Sequence, residues 1–158
     1  MDIIILEAKS NDLKEILTLQ KIAYKSEAEI HDDYTIPPLH QTMDEIRDEF
    51  HNQLFLKVIK DNKIIGSVRA YEKNGTCFIG KLIVEPEYQN VGIGTRLMAE
   101  VENRFEHVRR FELFTGYKSK KNLYLYTKIG YKEFRKEKIS EKLTLIFLEK
   151  VKKGSMED

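Results

Sequence analysis

The spacing of hydrophobic residues changes several times along the chain, and each change marks a predicted element. The run from Ile3 to Glu7 is rich in β-branched residues, which predicts a strand. Apolar residues then recur at helical spacing from Leu13 to Ala23, after Ser10 as a possible capping residue. The pattern fails between Ser26 and Gln41, where polar residues and two consecutive prolines predict a loop.

The middle of the chain predicts one helix and three strands. Thr42 and Glu45 have the spacing of a capping box, which favours a helix to about His51. Three strand-like runs follow, separated by turns with Asn and Gly, and these residues tolerate the positive φ of tight turns. The runs are residues 54–59, 64–71 and 77–84. We expect them to form an antiparallel meander.

After Pro86 the period becomes helical, and apolar residues from Ile93 to Val108 share one face. The remaining chain predicts a strand at 111–115, a helix at 119–129 and strands at 131–136 and 143–151. The summed order, β-α-α-β-β-β-α-β-α-β-β, indicates an α/β fold with a mixed sheet. We expect one domain over residues 1–151 and a flexible tail over 152–158.

Composition narrows the partners of this domain. The 158 residues include 27 basic and 26 acidic side chains, so no strong charge favours nucleic acid or a membrane surface. Cys77 is the only cysteine and no segment reads as a leader or a span, so we expect a cytoplasmic protein.

The turn between the third strand of the meander and the following helix carries the most specific chemistry. Gln89 to Gly94 places two glycines where backbone amides at a helix start can approach a phosphate. The alternative is a loop that needs glycine only for its bend. Two other nucleotide motifs fail, because Leu82 replaces the Ser or Thr of a phosphate loop and Leu97 replaces the third glycine of a dinucleotide fingerprint.

Residues 82–94, with Pro86 and the Gln-x-x-Gly-x-Gly pattern, resemble the acetyl-CoA signature of the GNAT superfamily of N-acetyltransferases. A second block, Asn122 to Tyr131, is similar to the family's later helix. The resemblance implies a single-domain fold with a mixed, mostly antiparallel central sheet flanked by helices. It also implies acetyl-CoA as co-substrate, direct transfer of the acetyl group to an amine of a small molecule or peptide, and no metal.

The resemblance further assigns residues to the cofactor. The strand backbone at Leu82, Ile83 and Val84 would bind the pantetheine arm, and the later helix would contribute Ser119 and Asn122. The turn would hold the pyrophosphate on its amides, aided by the helix dipole. Its residues are Gln89, Asn90, Val91, Gly92, Ile93, Gly94 and Thr95.

Tyr126 is the proton donor that the resemblance implies, since a phenol with an ordinary pKa near 10 matches the basicity of the departing thiolate. Tyr124, two positions away, fits a core tyrosine better. The 26–41 segment lies where the family binds its acceptor, and we take Tyr24, Glu27 and Tyr34 as candidate substrate contacts. No general base is evident.

Two other functions remain open: a non-catalytic acyl-CoA-binding or regulatory module with the same fold, and a partner-binding domain that uses the long loop. Members of the family often pair through sheet edges, and residues 143–148 are apolar on both faces. The terminal strand is therefore a candidate edge for a homodimer.

Overall fold

The computed structural model describes residues 2–152, and within them five α-helices flank a seven-stranded sheet. The helices are α1 (Leu13–His31), α2 (Pro37–His40), α3 (Met43–Asn52), α4 (Ile93–Arg104) and α5 (Lys120–Lys128). The strands are β1 (Ile4–Glu7), β2 (Leu54–Lys60), β3 (Lys63–Lys73), β4 (Thr76–Val84), β5 (Arg110–Gly116), β6 (Lys132–Lys138) and β7 (Thr144–Val151). No helix in this part of the chain is both long and apolar enough to cross a membrane.

The sheet has the order β1-β2-β3-β4-β5-β7-β6. Every neighbouring pair is antiparallel except β4 and β5, so the predicted mixed, mostly antiparallel sheet is confirmed. The meander of β2, β3 and β4 turns where the sequence places it, with positive φ at Asn62, Asn74 and Gly75. The capping box before α3 is also present, since Thr42 and Glu45 exchange both hydrogen bonds.

Two apolar clusters hold the helices to the sheet. One joins residues of α4 and α5, such as Leu97 and Tyr126, to the β-strands. The other joins α1 and α3, through residues such as Ile16 and Ile46, to Phe55. The sheet therefore lies between two helical groups and supports both.

A buried arginine ties α1 and α3 to β3. Arg69 is 2% exposed, and its guanidinium donates to Glu49 Oε1 at 2.9 Å, to Gln41 Oε1 at 3.1 Å and to Gln20. Burial lowers the pKa of Arg69, and the Glu49 carboxylate opposes that shift. The charge is thus buried with hydrogen-bond partners, the condition under which a protein interior tolerates it.

The expected loop over residues 26–41 is wrong in two places. Helix α1 continues to His31 because Ala28 and His31 are buried positions of a helical face, although neither is strongly apolar. It ends at Asp32, which has a left-handed φ of 50°. Helix α2 begins with its two prolines, at first-turn positions where a missing N–H costs nothing.

The chain's C-terminal part differs from expectation in two further respects. Helix α4 ends at Arg104, four residues before the predicted end at Val108. Strand β7 lies inside the sheet, paired to β5 on one side and β6 on the other, so it cannot supply the edge expected for a homodimer. The edge strand there is β6, whose side chains are all exposed and mostly charged, a pattern that opposes edge pairing. Residues 153–158 of the expected tail lie outside the described residues.

Candidate functional site

Strands β4 and β5 are paired only at one end. Their parallel register covers Thr76 to Phe78 of β4, while β4 itself continues to Val84. A bulge interrupts the β3–β4 pairing between Ser67 and Arg69, near Lys81, whose φ is +49°. Bulges bend a strand and increase its twist, and beyond Phe78 the two strands separate. This separation leaves one edge of β4 open in the middle of the sheet.

Val84 turns its backbone polar groups toward this opening. The Glu85 N–H donates to the Ile65 carbonyl at 2.8 Å, across the β3 side. Because consecutive strand residues alternate in direction, the N–H and C=O of Val84 point away from β3. The side-chain amide of Gln89 donates to this Val84 carbonyl at 3.1 Å. Gln89 therefore ties the following loop to the open end of β4.

The loop ends in a set of free backbone donors. Within residues 2–152, the N–H groups of residues 90–95 have no hydrogen-bond partner, and the first backbone bond of the turn is from Arg96 N–H to Gly92 O at 3.1 Å. Asn90 and Gly92 have positive φ, at 65° and 88°. A helix start with free N–H groups and a positive dipole end attracts anions.

The opening and the loop form parts of one cleft of about 580 Å³. Most of the predicted cofactor residues line it: Leu82, Ile83, Val84, Gln89, Asn90, Gly92, Ile93, Gly94, Thr95, Ser119 and Asn122. Tyr24 and Glu27 from α1 also line it. Val91, Tyr34 and Tyr126 are not among its lining residues. Tyr34 is 51% exposed, and its carbonyl instead contacts His40 Nε2 at 2.7 Å.

Ser119 and Asn122 are turned toward Glu27. The Ser119 hydroxyl donates to Glu27 Oε2, and the Asn122 amide donates to Glu27 Oε1 at 3.3 Å and to Thr115 Oγ1 at 3.1 Å. Residues predicted for two different ligands therefore form one cluster. It joins α1 to α5 across the cleft.

A second contact between α1 and the β5–α5 connection lies beside this cluster. His31 is 3% exposed, its Nδ1 is 3.0 Å from the Glu27 carbonyl, and its Nε2 accepts from the Lys118 N–H at 3.2 Å. Acceptance at Nε2 and donation at Nδ1 require the neutral ring. Gly116 makes room for it, since a Cβ there would be 2.3 Å from His31 Nε2.

Tyr126 lies deeper than the cleft wall. It is 6% exposed and its ring is 6.2 Å from that of Tyr131. Burial raises the pKa of Tyr126 well above its ordinary value, and Tyr24 and Glu27 add to the shift. The expected match between an unshifted phenol and a thiolate is therefore wrong. The hydroxyl is protonated at neutral pH, as any tyrosine is, and the raised pKa makes it a weaker acid than an ordinary phenol.

The cleft also has a wall that sequence reasoning missed. Tyr124 is 69% exposed and lines the cleft, contrary to its interpretation as a core residue. Four lysines also line the cleft: Lys118, Lys120, Lys121 and Lys128. The available signal was the helical spacing of 121, 124 and 128, which places them on one face. Cys77 on β4 is buried, and burial raises its pKa to about 12.

Known proteins share this architecture. The paia N-acetyltransferase of Thermoplasma acidophilum, solved in complex with coenzyme A, superposes with a TM-score of 0.81 at 19% identity, covering 96% of this chain and all of that one. The ribosomal-protein-S18-alanine N-acetyltransferase of Escherichia coli gives a TM-score of 0.78 at 14% identity, covering 95% and 94% of the two chains. At these identities the likeness shows the fold.

Sequence comparison is more specific. The protein named UPF0157 protein YqkA, from Bacillus subtilis (strain 168), is 31% identical over 133 residues. That match covers 84% of this chain but only 38% of the relative, so the chain spans less than half of that protein's length. The family model described as Acetyltransferase (GNAT) family matches residues 15–131, which include the splayed strand, the glycine turn and α5. The chain belongs to the acetyltransferase (GNAT) family.

Proposed function

We propose that the protein transfers the acetyl group of acetyl-CoA directly to an amine acceptor, a small molecule or a peptide. The observation that carries this proposal is the separation of β4 from β5, which ends at the free amides of residues 90–95. Membership of the acetyltransferase family supports it, as does the CoA complex of the Thermoplasma neighbour.

The cleft offers complementary groups to two parts of CoA, the pantetheine chain and the pyrophosphate. An extended pantetheine chain has amide groups that can pair with an open strand edge, and the Val84 N–H faces the opening. Pyrophosphate oxygens suit the N–H groups of residues 90–95, which have no protein acceptor within residues 2–152. Gly92 has open space where a Cβ would stand, and a Cβ on Gly94 would be 3.3 Å from Leu125 Cδ2. Glycine therefore suits position 92 because of its positive φ, and a larger residue at position 94 would press against α5.

The thioester of acetyl-CoA supplies an activated acetyl group, and the protein has to supply the proton that the departing CoA thiolate takes up. We assign proton donation to Tyr126, a protonated phenol on α5 behind the cleft wall; burial raises its pKa, so it is a weaker acid than an ordinary tyrosine. The Tyr126 hydroxyl has no hydrogen-bond partner within residues 2–152. Among the side-chain nitrogen and oxygen atoms there, Glu85 Oε2 is the only one that is both without a partner and completely shielded from solvent, so the Tyr126 hydroxyl keeps some solvent access. Its proton is thus not committed to another protein group.

The acceptor side of the cleft favours a cationic amine. Among the described lining residues, Glu27 is the only carboxylate, and it lies on α1 beside Tyr24. Its position is fixed by Ser119 and Asn122. A fixed carboxylate attracts the ammonium form of an amine. The ammonium loses one proton to solvent water before the neutral amine attacks, and the proton that leaves the nitrogen on transfer balances the one that the CoA thiolate takes up.

The test is a release assay for the CoA thiol, with acetyl-CoA and a panel of amines, polyamines, amino acids and peptides. The proposal predicts acceptor-dependent release and a mass increase of one acetyl group on the acceptor. A matched Glu27→Gln variant should lose preference for cationic acceptors while still binding CoA. Slow release that no acceptor accelerates, with CoA binding intact, would instead favour a non-catalytic acyl-CoA-binding module.

A further inference from the structure

One face of α5 forms a basic and aromatic wall of the cleft. Lys121, Tyr124 and Lys128 are three and four residues apart, so they lie on the same side of the helix. All three line the cleft, and the Tyr124 ring is 69% exposed. Lys128 Nζ is 5.8 Å from the centroid of that ring, within cation–π range. A large aromatic side chain left uncovered beside two ammonium groups is a suitable surface for a flat, anionic ligand.

The charge of the cleft differs from that of the whole protein. The chain has a net charge of +1. On the described walls of the cleft, however, there are four lysines and a single carboxylate, Glu27. None of these four lysines is in an ion pair within residues 2–152, whereas eight other lysines are. Uncompensated ammonium groups concentrated on one wall attract polyanions.

This wall begins next to the free amides of the glycine turn. A Cβ on Gly94 would be 3.3 Å from Leu125 Cδ2, so the first turn of α4 packs against the middle of α5. Leu125 follows Tyr124 directly and is one turn from Lys121 and Lys128. A ligand whose pyrophosphate binds at residues 90–95 would therefore extend its next groups along the α5 face.

We propose that Lys121, Tyr124 and Lys128 bind the adenosine 3′-phosphate end of coenzyme A, the ring stacking on adenine and the two lysines pairing with the 3′-phosphate. This assignment rests on the proposed function and adds a specificity determinant to it. The 3′-phosphate and the pyrophosphate are attached to the same ribose, so the two anionic groups reach neighbouring sites. A phosphate monoester carries nearly two charges at neutral pH, which two ammonium groups match.

The first test compares CoA with dephospho-CoA, which lacks only the 3′-phosphate, by titration calorimetry. Two exposed charge pairs together predict roughly tenfold tighter binding of CoA to the wild type. The Lys121→Gln/Lys128→Gln double variant should bind the two ligands equally, because only CoA loses contacts. The control is Lys132→Gln, an exposed lysine on β6 outside the cleft, which should keep the wild-type ratio. The ratio should also fall as salt rises.

The second test concerns the ring. Tyr124→Ala should weaken CoA and dephospho-CoA equally, by roughly tenfold, as expected for the loss of one base–aromatic stack. Tyr124→Phe retains the ring and should bind both ligands as the wild type does. Equal affinity of the wild type for CoA and dephospho-CoA, or a ratio that survives in the double lysine variant, would overturn this inference and leave the proposed function standing. Failure of both ligands to bind the wild type would refute the proposed function itself.

Discussion

Replacing Gly116 with alanine should destabilise the protein strongly, because the new methyl group has no space. The Cβ would be 2.3 Å from His31 Nε2, and ordinary contacts begin at about 3.4 Å, so one group must move by roughly 1 Å. His31 is buried and held at both ring nitrogens, which leaves it little freedom to yield. Overpacking of this kind costs about 1–3 kcal/mol, and loss of the bond from the Lys118 N–H adds about 1 kcal/mol. We expect a loss of about 2–4 kcal/mol in the free energy of unfolding.

Urea and thermal unfolding measure this effect. For a domain of this size the loss corresponds to a decrease of roughly 5–15 °C in Tm. Gly80→Ala is the matched control: it is another strand glycine with an ordinary φ, and no atom lies within 4 Å of its added Cβ. In a His31→Ala background, Gly116→Ala should cost little, giving a coupling energy above about 1.5 kcal/mol. If Gly116→Ala is as mild as Gly80→Ala, or if the coupling is zero, the close contact between β5 and α1 is not as described.

Three further predictions concern the cleft and the electrostatics. Gly92→Val forces a β-branched residue to a φ of 88°, and Gly94→Val adds a side chain where even a Cβ would be 3.3 Å from Leu125 Cδ2. Each should weaken CoA binding at least about tenfold in titrations, and wild-type affinity would contradict the role of the turn. Tyr126→Phe should lower kcat more than CoA affinity, whereas Tyr24→Phe should mainly raise the KM of the acceptor. A lower kcat in Tyr24→Phe together with a higher acceptor KM in Tyr126→Phe would contradict these two roles. Burial opposes ionisation of Asp12, but hydrogen bonds from Lys57 Nζ and from the Lys9 N–H outweigh burial and lower the pKa of Asp12. The folded pKa of Asp12 lies below its unfolded value, so Asp12→Asn should lower the free energy of unfolding by about 1 kcal/mol at pH 7. The difference in stability between the variant and the wild type should disappear as pH falls below about 4. A pH-independent difference in urea unfolding would contradict this.

Local signals in the sequence predicted most of the elements correctly. The capping box at Thr42 and Glu45 and the turn at Asn74 and Gly75 act within a few residues, so their chemistry can be read without knowing the fold. The extension of α1 was missed for the converse reason. Its last buried position is His31, a polar residue whose burial depends on contacts with Lys118, 87 residues away.

Strand order and side-chain depth depend on such distant contacts as well. Residues 143–148 are apolar on both faces because β7 is a central strand, and the same pattern suggested an exposed edge. On α5, Tyr124 and Tyr126 are alike in sequence, yet one is 69% exposed and the other 6%. Only the packing of α5 against α4 and the sheet decides which tyrosine faces the cleft. The glycine turn was easier to place, because its strand-turn-helix context is contiguous in the chain.

Binding of CoA in the cleft is the central claim, and thermal unfolding with and without CoA tests it most directly. At a CoA concentration 100 times its Kd, the account predicts about 2.7 kcal/mol of added stability, or a rise of roughly 5–11 °C in Tm. Pantetheine at the same concentration lacks the phosphates and should raise the Tm much less. An unchanged Tm at millimolar CoA would contradict the account.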